Sequence, residues 1–271
     1  MKTLYLCGAG NPEGVRLALV INHAQKLWDR IVILDDDQTK HGQTILDVEI
    51  AGPFTMLGEA NPASDEVSNM VARTTRGRYS VMQKIEEYGL PFVSLIDPGV
   101  DIFGVESGKG VTYYRNALFC ANATVGEGSV IFAGAIVGHG CNLGKCCVVA
   151  PGAVINARVD LGEGAYIGTN ASIMPDLKVG SWATVGANSA VVQDVDAGST
   201  VMGVPAQVLI PGNTELSGQS AEPFQGNGRS SAGVPGEGGP LSDKSNVSTG
   251  ALRQLRKAQK KFISSYKSKK A

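Results

Sequence analysis

The residues best suited to chemistry concentrate in the segment AIVGHGCNLGKC, residues 135–146. It contains His139, the one histidine beyond residue 41, within a run of small and aliphatic residues. A neutral imidazole titrates near pH ~6.5, so at neutral pH it can take a proton from an amine or a hydroxyl. Cys141, Cys146 and Cys147 lie close by in the sequence and make a metal site one alternative. A solvent-exposed histidine with no catalytic role is another alternative.

The segment belongs to a six-residue repeat that begins at residue 117 and runs through thirteen hexads. The third residue of every hexad is large and apolar: Phe119, Val125, Ile131, Val137, Leu143, Val149, Ile155, Leu161, Ile167, Ile173, Val179, Val185 and Val191. A period of six indicates a β-solenoid with three short faces per coil of 18 residues. Burying each large side chain contributes roughly 1.5–3 kcal/mol, so these residues form the interior. The frequent glycine at the fourth position is expected to adopt the corner dihedral angles that L-residues avoid.

This solenoid determines where the reactive side chains lie. His139 is the fifth residue of its hexad, so it lies at a corner and points outward. The same column holds Ala121 and Ala157, 18 residues away on either side, which leaves room for a substrate. Cys141 and Cys147 take the small first position and are expected to be core residues. We therefore expect no metal.

Residues 1–96 alternate strand and helix signals. Strands are predicted over residues 3–7, 30–37, 67–72 and 91–96, and helices over 14–28 and 76–88. This order indicates a small, parallel, Rossmann-like α/β sheet. An NAD-binding oxidoreductase is disfavoured because the domain is short and nothing else supplies redox chemistry.

The turn GAGNPEG, residues 8–14, joins the first strand to the first helix. Its amides can bind a phosphate at the helix N-terminus, and a tight turn without a ligand is the alternative.

Charge separates the end of the chain from its body. Residues 251–271 carry eight Lys and Arg residues and no acid, within a chain of net charge −1. The acidic body disfavours nucleic-acid binding. Residues 211–250, rich in Gly, Ser and Pro, are predicted to be a flexible linker. The basic tail has one apolar helical face, which suits an anionic membrane surface or a partner protein, with a solvated tail as the alternative.

Composition also indicates the cellular compartment. No apolar run reaches ~18 residues, and five cysteines form no disulfide framework. We expect a cytoplasmic protein, with a peripheral position at the inner membrane face if the tail binds lipid.

Three features make the chain resemble the hexapeptide-repeat acyltransferases, and in particular the sialic-acid O-acetyltransferases and bacillosamine-type nucleotide-sugar N-acetyltransferases. One is the α/β domain with its GAGNPEG turn and the strand end ILDDD. The second is the hexad run with VGHGCNLG followed by APGAVI. The third is GVPA, residues 203–206, where Pro205 closes the last coil. The resemblance covers about residues 3–210.

The resemblance implies a left-handed β-helix, a homotrimer, acetyl-CoA as the donor and active sites between subunits. His139 would be the base of a direct transfer to an amino or hydroxyl group of a sugar or nucleotide-sugar, in glycan biosynthesis. The backbone contacts to acetyl-CoA would fall near Gly168, Thr169, Gly186 and Ala187. The sugar or nucleotide would be bound by the N-terminal residues Gly8, Gly10, Asn11, Asp35 and Asp36.

The sequence departs from the family at three places. Gly140 stands where an acid often orients the base, Val148 replaces a second histidine, and residues 11–13 replace a Gly-His pair in the turn. A trimeric β-helix scaffold with weak or no turnover, acting through its basic tail, is the rival function. The predicted domains are 1–96 for sugar or nucleotide binding, 97–210 for the β-helix, 211–250 for the linker and 251–271 for the tail.

Overall fold

The computed structural model describes residues 1–212, which fall within one compact unit. The predicted linker beyond residue 212 and the basic tail over 251–271 lie outside the described residues. The domain boundary between residues 96 and 97 stays a prediction.

The N-terminal part is a five-stranded sheet in the order β3-β4-β2-β1-β5. Its strands are β1 Thr3–Cys7, β2 Arg30–Leu34, β3 Thr44–Ile45, β4 Val48–Gly52 and β5 Glu66–Asn69. Two α-helices, α1 Pro12–Gln25 and α2 Thr75–Glu86, and two 3-10 helices, Gln38–Lys40 and Phe54–Glu59, complete it. The antiparallel β3–β4 hairpin was not predicted. Its turn is Leu46-Asp47, with φ of 50° and 64°, where Asn-Gly would give a recognisable signal.

The predicted strand over 91–96 was assigned to the wrong sheet. Phe92 forms only an isolated bridge with Val67, and the following β6, Leu95–Ile96, pairs with a β-helix strand, β8 Thr112–Tyr113. The chain therefore crosses from one sheet to the other within six residues. An apolar run alone does not say which sheet it joins.

The rest of the described chain is a left-handed β-helix of two-residue strands. Strands stack in parallel with a register of 18 residues, as where Ile136 pairs with Val154. The predicted interior is confirmed, since Val137, Ile155 and Ile173 are fully buried. The sequence pattern missed the first coil, in which the buried Tyr113 makes a hydroxyl–hydroxyl hydrogen bond of 2.8 Å with the exposed Ser107.

The β-helix has a polar face, an apolar face and a face covered by the N-terminal part of the chain. The polar face comprises β7 Glu106–Ser107, β10 Thr124–Val125, β13 Asn142–Leu143, β16 Asp160–Leu161 and β19 Lys178–Val179. The apolar face comprises β9 Leu118–Phe119, β12 Ile136–Val137, β15 Val154–Ile155, β18 Ser172–Ile173 and β21 Ala190–Val191. The covered face comprises β6, β8, β11 Val130–Ile131, β14 Val148–Val149, β17 Tyr166–Ile167, β20 Thr184–Val185, β22 Thr200–Gly203 and β23 Ala206–Ile210.

The outward residues distinguish these faces. On the covered face Val130 and Val148 are only 1% exposed, because they pack in the same apolar cluster as α1. The first residue of each strand on the polar face is polar or charged. The equivalent residues of the apolar face are Leu118, Ile136, Val154, Ser172 and Ala190, and Leu118 is 50% exposed.

The expectation about the corner glycines is wrong in part. The left-handed residue of each corner is the sixth of the hexad, for example Asn122, Gly140 and Asn188. The fourth-position glycines serve a different need. A Cβ on Gly138 would lie 2.7 Å from backbone atoms of the next coil, and one on Gly144 would also lie at 2.7 Å. Glycine at the fourth position therefore permits the close stacking of coils.

Helix α2 lies along the corner between the polar and covered faces. Met82 Sδ is 3.6 Å from the Cys146 thiol, and the ring of Tyr79 meets Trp182 edge-on at 5.4 Å. A helix of 12 residues is ~18 Å long, close to the rise of four stacked strands at ~4.8 Å each. The helix thus contacts several coils and joins the α/β part to the β-helix.

A buried arginine completes this junction. Arg78 is 1% exposed; its Nε donates to the carbonyl of Gly128, and its Nη1 donates to those of Asn69 and Val71 at 2.8 Å. Desolvation lowers the pKa of Arg78 to about 10. The side chain thus ties one corner of the β-helix to the end of β5.

The chain ends its last coil as predicted. Pro205 lies in the turn between β22 and β23, and β23 reverses direction to pair antiparallel with β22. Within residues 1–212, no helix has the length and hydropathy needed to cross a membrane.

Candidate active site

His139 lies at the corner where β12 of the apolar face turns into β13 of the polar face. Its side chain is exposed, as predicted for a fifth-position residue. Gly140 follows with φ of 64°, and the N–H of Cys141 donates to the carbonyl of Gly138 at 3.4 Å. The imidazole therefore stands on a tight turn that fixes its position at the edge of the apolar face.

A side chain of the next coil contacts this imidazole and is itself held by a carboxylate one coil farther on. Arg158 Nη1 lies 3.0 Å from Nε2 of His139. The same guanidinium donates through Nε and Nη2 to the two oxygens of Asp176, at 2.6 and 2.9 Å. These hydrogen bonds hold the pKa of Asp176 below its usual value. Because arginine has no acceptor atom, Nε2 accepts, and the proton of the neutral ring resides on Nδ1.

The structure explains the departure at Gly140. A Cβ at residue 140 would lie 3.4 Å from Cγ of Arg158. A larger side chain there, such as the acid expected in the family, would compete for the space through which Arg158 reaches His139. The carboxylate near the base is instead Asp176, which acts through Arg158.

The residues predicted to bind acetyl-CoA lie at another corner. Gly168 and Thr169 follow β17, and Gly186 and Ala187 follow β20, where the covered face turns into the apolar face. The amides of Gly168 and Gly186 donate to coil carbonyls at 2.8 Å, whereas Thr169 and Ala187 are exposed. One chain therefore places His139 and these four residues on opposite edges of the apolar face.

The N-terminal residues converge at the carboxyl edge of the parallel sheet. Asp35 accepts from the N–H of Ala9 at 2.7 Å and from Nζ of Lys40 at 3.1 Å. Although desolvation opposes it, these bonds and the Asp37 amide hold the pKa of Asp35 below its usual value. Asp35 thus fixes the turn that contains Gly8 and Gly10.

The neighbouring polar groups of this edge also have protein partners. Asp36 accepts from the amide of Phe54 at 2.9 Å and from Lys84 at 2.5 Å. Asn11 caps α1 and donates to the hydroxyl of Tyr114 at 2.7 Å. Gly10 is exposed, and a Cβ on it would meet nothing within 4 Å. The structure brings the five predicted residues together, but Asp35 holds the glycine turn and Asp36 is bonded to Phe54 and Lys84.

The sequence reasoning missed Arg158 and Asp176. The signal was available, because residues 140, 158 and 176 are 18 apart and occupy the same corner column. The prediction that Cys141 and Cys147 belong to the core is confirmed, since both are at most 1% exposed. In the described part of the chain, no three His, Cys, Asp or Glu side chains are arranged to hold a metal ion.

Comparison with solved structures finds the same architecture over both parts of the chain. The acetyltransferase domain of PglB from Neisseria gonorrhoeae superposes with a TM-score of 0.70 at 27% identity, over 76% of this chain and 99% of that one. Perosamine N-acetyltransferase from Caulobacter crescentus gives 0.67 at 25% identity, over 76% and 96%. WeeI from Acinetobacter baumannii, at 23% identity and a TM-score of 0.69 over 77% and 100%, shares the fold.

No protein-family model matches the chain, and no curated protein matches it in sequence. The matches to solved structures nevertheless run through the α/β part and the β-helix in one order. They confirm the resemblance that the motifs indicated. The chain is an acetyltransferase with the architecture of the hexapeptide-repeat nucleotide-sugar N-acetyltransferases.

Proposed function

We propose that the chain transfers the acetyl group of acetyl-CoA directly to an amino or hydroxyl group of a nucleotide-sugar, with His139 as the general base. The Caulobacter enzyme has been solved with CoA and GDP-perosamine, and the PglB domain with acetyl coenzyme A. The observation that carries the proposal is the position of His139 on one edge of an exposed apolar face. The candidate acetyl-CoA residues Thr169 and Ala187 occupy the other edge.

The apolar face supports a trimer. Leu118, Met174 and Val192 expose 50%, 39% and 53% of their surface along it. Three copies related by a threefold axis would bury these faces against one another. In a cyclic assembly, one edge of the apolar face of each chain adjoins the opposite edge of the apolar face of the next chain. His139 of one chain would then meet Thr169 and Ala187 of its neighbour.

The chemistry follows from the tautomer. With its proton on Nδ1, His139 offers the lone pair of Nε2 to the N–H or O–H of the acceptor. The imidazole takes this proton as the acceptor attacks the acetyl carbon, and then gives it to the departing thiolate. No nucleophilic side chain and no acyl-enzyme is needed. The sugar or nucleotide would reach this groove from the N-terminal turn that carries Gly8, Gly10 and Asn11.

The test is acetyl transfer by the full chain, followed as CoA release with a panel of amino- and hydroxy-sugar nucleotides. We expect His139→Ala to lower kcat by about 10²–10⁴-fold, the usual contribution of a general base. Lys145→Gln, at the corner between the polar and covered faces, serves as the folding control.

The opposite outcome is equally clear. If the wild type and His139→Ala are equally inert with every acceptor while both bind CoA, the chain is a scaffold and the proposed function is wrong.

A further inference from the structure

The geometry points to Arg158 as the donor that stabilises the oxyanion during acetyl transfer, an inference that rests on the proposed function. Three backbone N–H groups beside the base already have partners. The amides of Gly138, Gly140 and Arg158 donate to coil carbonyls at 2.8, 3.2 and 2.9 Å. The guanidinium of Arg158 is a side-chain donor beside the base.

Arg158 Nη1 has the right spacing from the base. It lies 3.0 Å from Nε2 of His139. In the tetrahedral intermediate the attacking atom and the oxyanion are about 2.3 Å apart, since two bonds of ~1.4 Å meet at one carbon. A base and a donor separated by one hydrogen-bond length can contact both atoms at once, each at about 2.7–3.1 Å. The bond to Nε2 would be exchanged for bonds to the acceptor and the oxyanion.

The guanidinium is held ready for this role. Asp176 takes its Nε and Nη2 through two hydrogen bonds, which leaves Nη1 directed at His139. Arg158 keeps a left-handed backbone with φ of 57°, at a position where glycine or asparagine is usual in this chain. Gly140 leaves open the space that its side chain crosses. Backbone strain kept for one side-chain direction is typical of functional sites.

Acetyl transfer proceeds through addition of the acceptor and loss of the thiolate. The acceptor nitrogen or oxygen forms a bond to the acetyl carbon, and the carbonyl π pair moves to its oxygen, which accepts from Arg158 Nη1–H. His139 Nε2 takes the acceptor's proton. The oxyanion then re-forms the carbonyl, the carbon–sulfur bond breaks, and the CoA sulfur leaves with the pair and receives the proton from His139. Arg158 remains protonated throughout.

The first experiment compares kcat, acceptor KM and the calorimetric Kd of acetyl-CoA in Arg158→Gln, Arg158→Lys and the wild type. We expect Arg158→Gln to lose about 10²–10³-fold in kcat with KM and Kd little changed, as for other oxyanion donors. Arg158→Lys keeps the charge without the fork and should fall between them. Lys145→Gln is the matched control, because Lys145 pairs with Glu127 of the preceding coil at 3.0 Å, at a corner without His139.

A second readout separates chemistry from folding. Arg158→Ala leaves a space that free guanidinium fits, so we expect millimolar guanidinium chloride to restore part of its kcat, whereas sodium chloride at equal ionic strength should not. Equal melting temperatures would show that the variant is folded.

Each other outcome overturns the inference. An unchanged or increased kcat in Arg158→Gln would mean that Arg158 only occupies Nε2. A change confined to KM would make it an anion-binding residue. If the wild type is inert with every acceptor, the proposed function fails and the inference fails with it. If the wild type is active, His139→Ala is inert and Arg158→Gln is unaffected, the role of Arg158 is wrong while the proposed function stands.

Discussion

Asp35 shows at the residue scale how a predicted binding residue takes a structural role. Its carboxylate accepts from the Ala9 amide in the glycine turn and from Lys40, and its side chain is 13% exposed. Charge-assisted hydrogen bonds of this kind contribute about 1.5–3 kcal/mol each. The residue that the motif assigns to a nucleotide therefore also holds the turn that would carry the phosphate.

This arrangement makes stability depend on pH in a defined direction. The pKa of Asp35 is lowered in the folded chain, below the ~3.9 of an unfolded aspartate. Its contribution is therefore present above pH ~4 and is lost as pH falls through the folded pKa. We expect Asp35→Asn to cost about 1–2 kcal/mol at pH 7 and much less near pH 3.

Urea denaturation at both pH values measures the difference. Asp160→Asn, on the exposed polar face, is the control. A constant cost of Asp35→Asn from pH 7 to pH 3 would contradict the assignment.

At the same scale, the sequence predicted the place of His139 but not its partners. An outward corner position follows from the hexad count alone. Whether Arg158 folds onto the imidazole depends on the carboxylate of Asp176, one coil farther on. Such a contact requires both the coil register and the local backbone conformation.

At the scale of the element, the coil register was predicted from residue 117 onward because one buried residue recurs every six. The first coil was not predicted, because Ser107 and Tyr113 stand where the later coils have aliphatic residues. The role of glycine was misjudged because two corner positions favour it for different reasons. At fourth-position glycines such as Gly138 a Cβ would meet the backbone of the next coil, and the sixth position has a positive φ.

These two reasons predict different responses to substitution. Ala at Gly144 would place a Cβ 2.7 Å from the backbone of Glu163, so the coils must separate. We expect Gly144→Ala to cost about 1–3 kcal/mol or more in the free energy of unfolding. Gly104 has φ of 74° and open space around it. Since asparagine tolerates this backbone, Gly104→Asn should cost less than about 1 kcal/mol.

Chemical denaturation of both variants, with m-values compared to the wild type, makes the measurement. Equal costs would show that coil spacing does not explain the fourth-position glycines.

At the scale of the whole molecule, the three faces of the β-helix differ in polarity and in what covers them. One is covered by the N-terminal part of the chain and one is polar. The third remains apolar, with Leu118 exposed and Ile136 and Val154 half-buried. The two halves of the proposed site lie on opposite edges of that third face. Sequence alone could not show this separation, because it assigns residues to corners only after the face order is known.

A mixing experiment tests whether neighbouring chains complete the site. His139→Ala removes the base, and Ala187→Trp fills the opposite corner, so each variant alone should be inactive. In trimers formed from both variants at equal amounts, a chain with intact His139 precedes a chain with intact Ala187 at about a quarter of the junctions. We therefore expect the co-expressed chains to recover about a quarter of the wild-type activity per site.

Mixing Ala187→Trp with the double variant His139→Ala/Ala187→Trp supplies no intact acetyl-CoA corner and should recover nothing. Light scattering should give three times the chain mass of 28.2 kDa for every sample. If the mixed trimers stay inactive, neighbouring chains do not complete the site, and the proposed assembly is wrong.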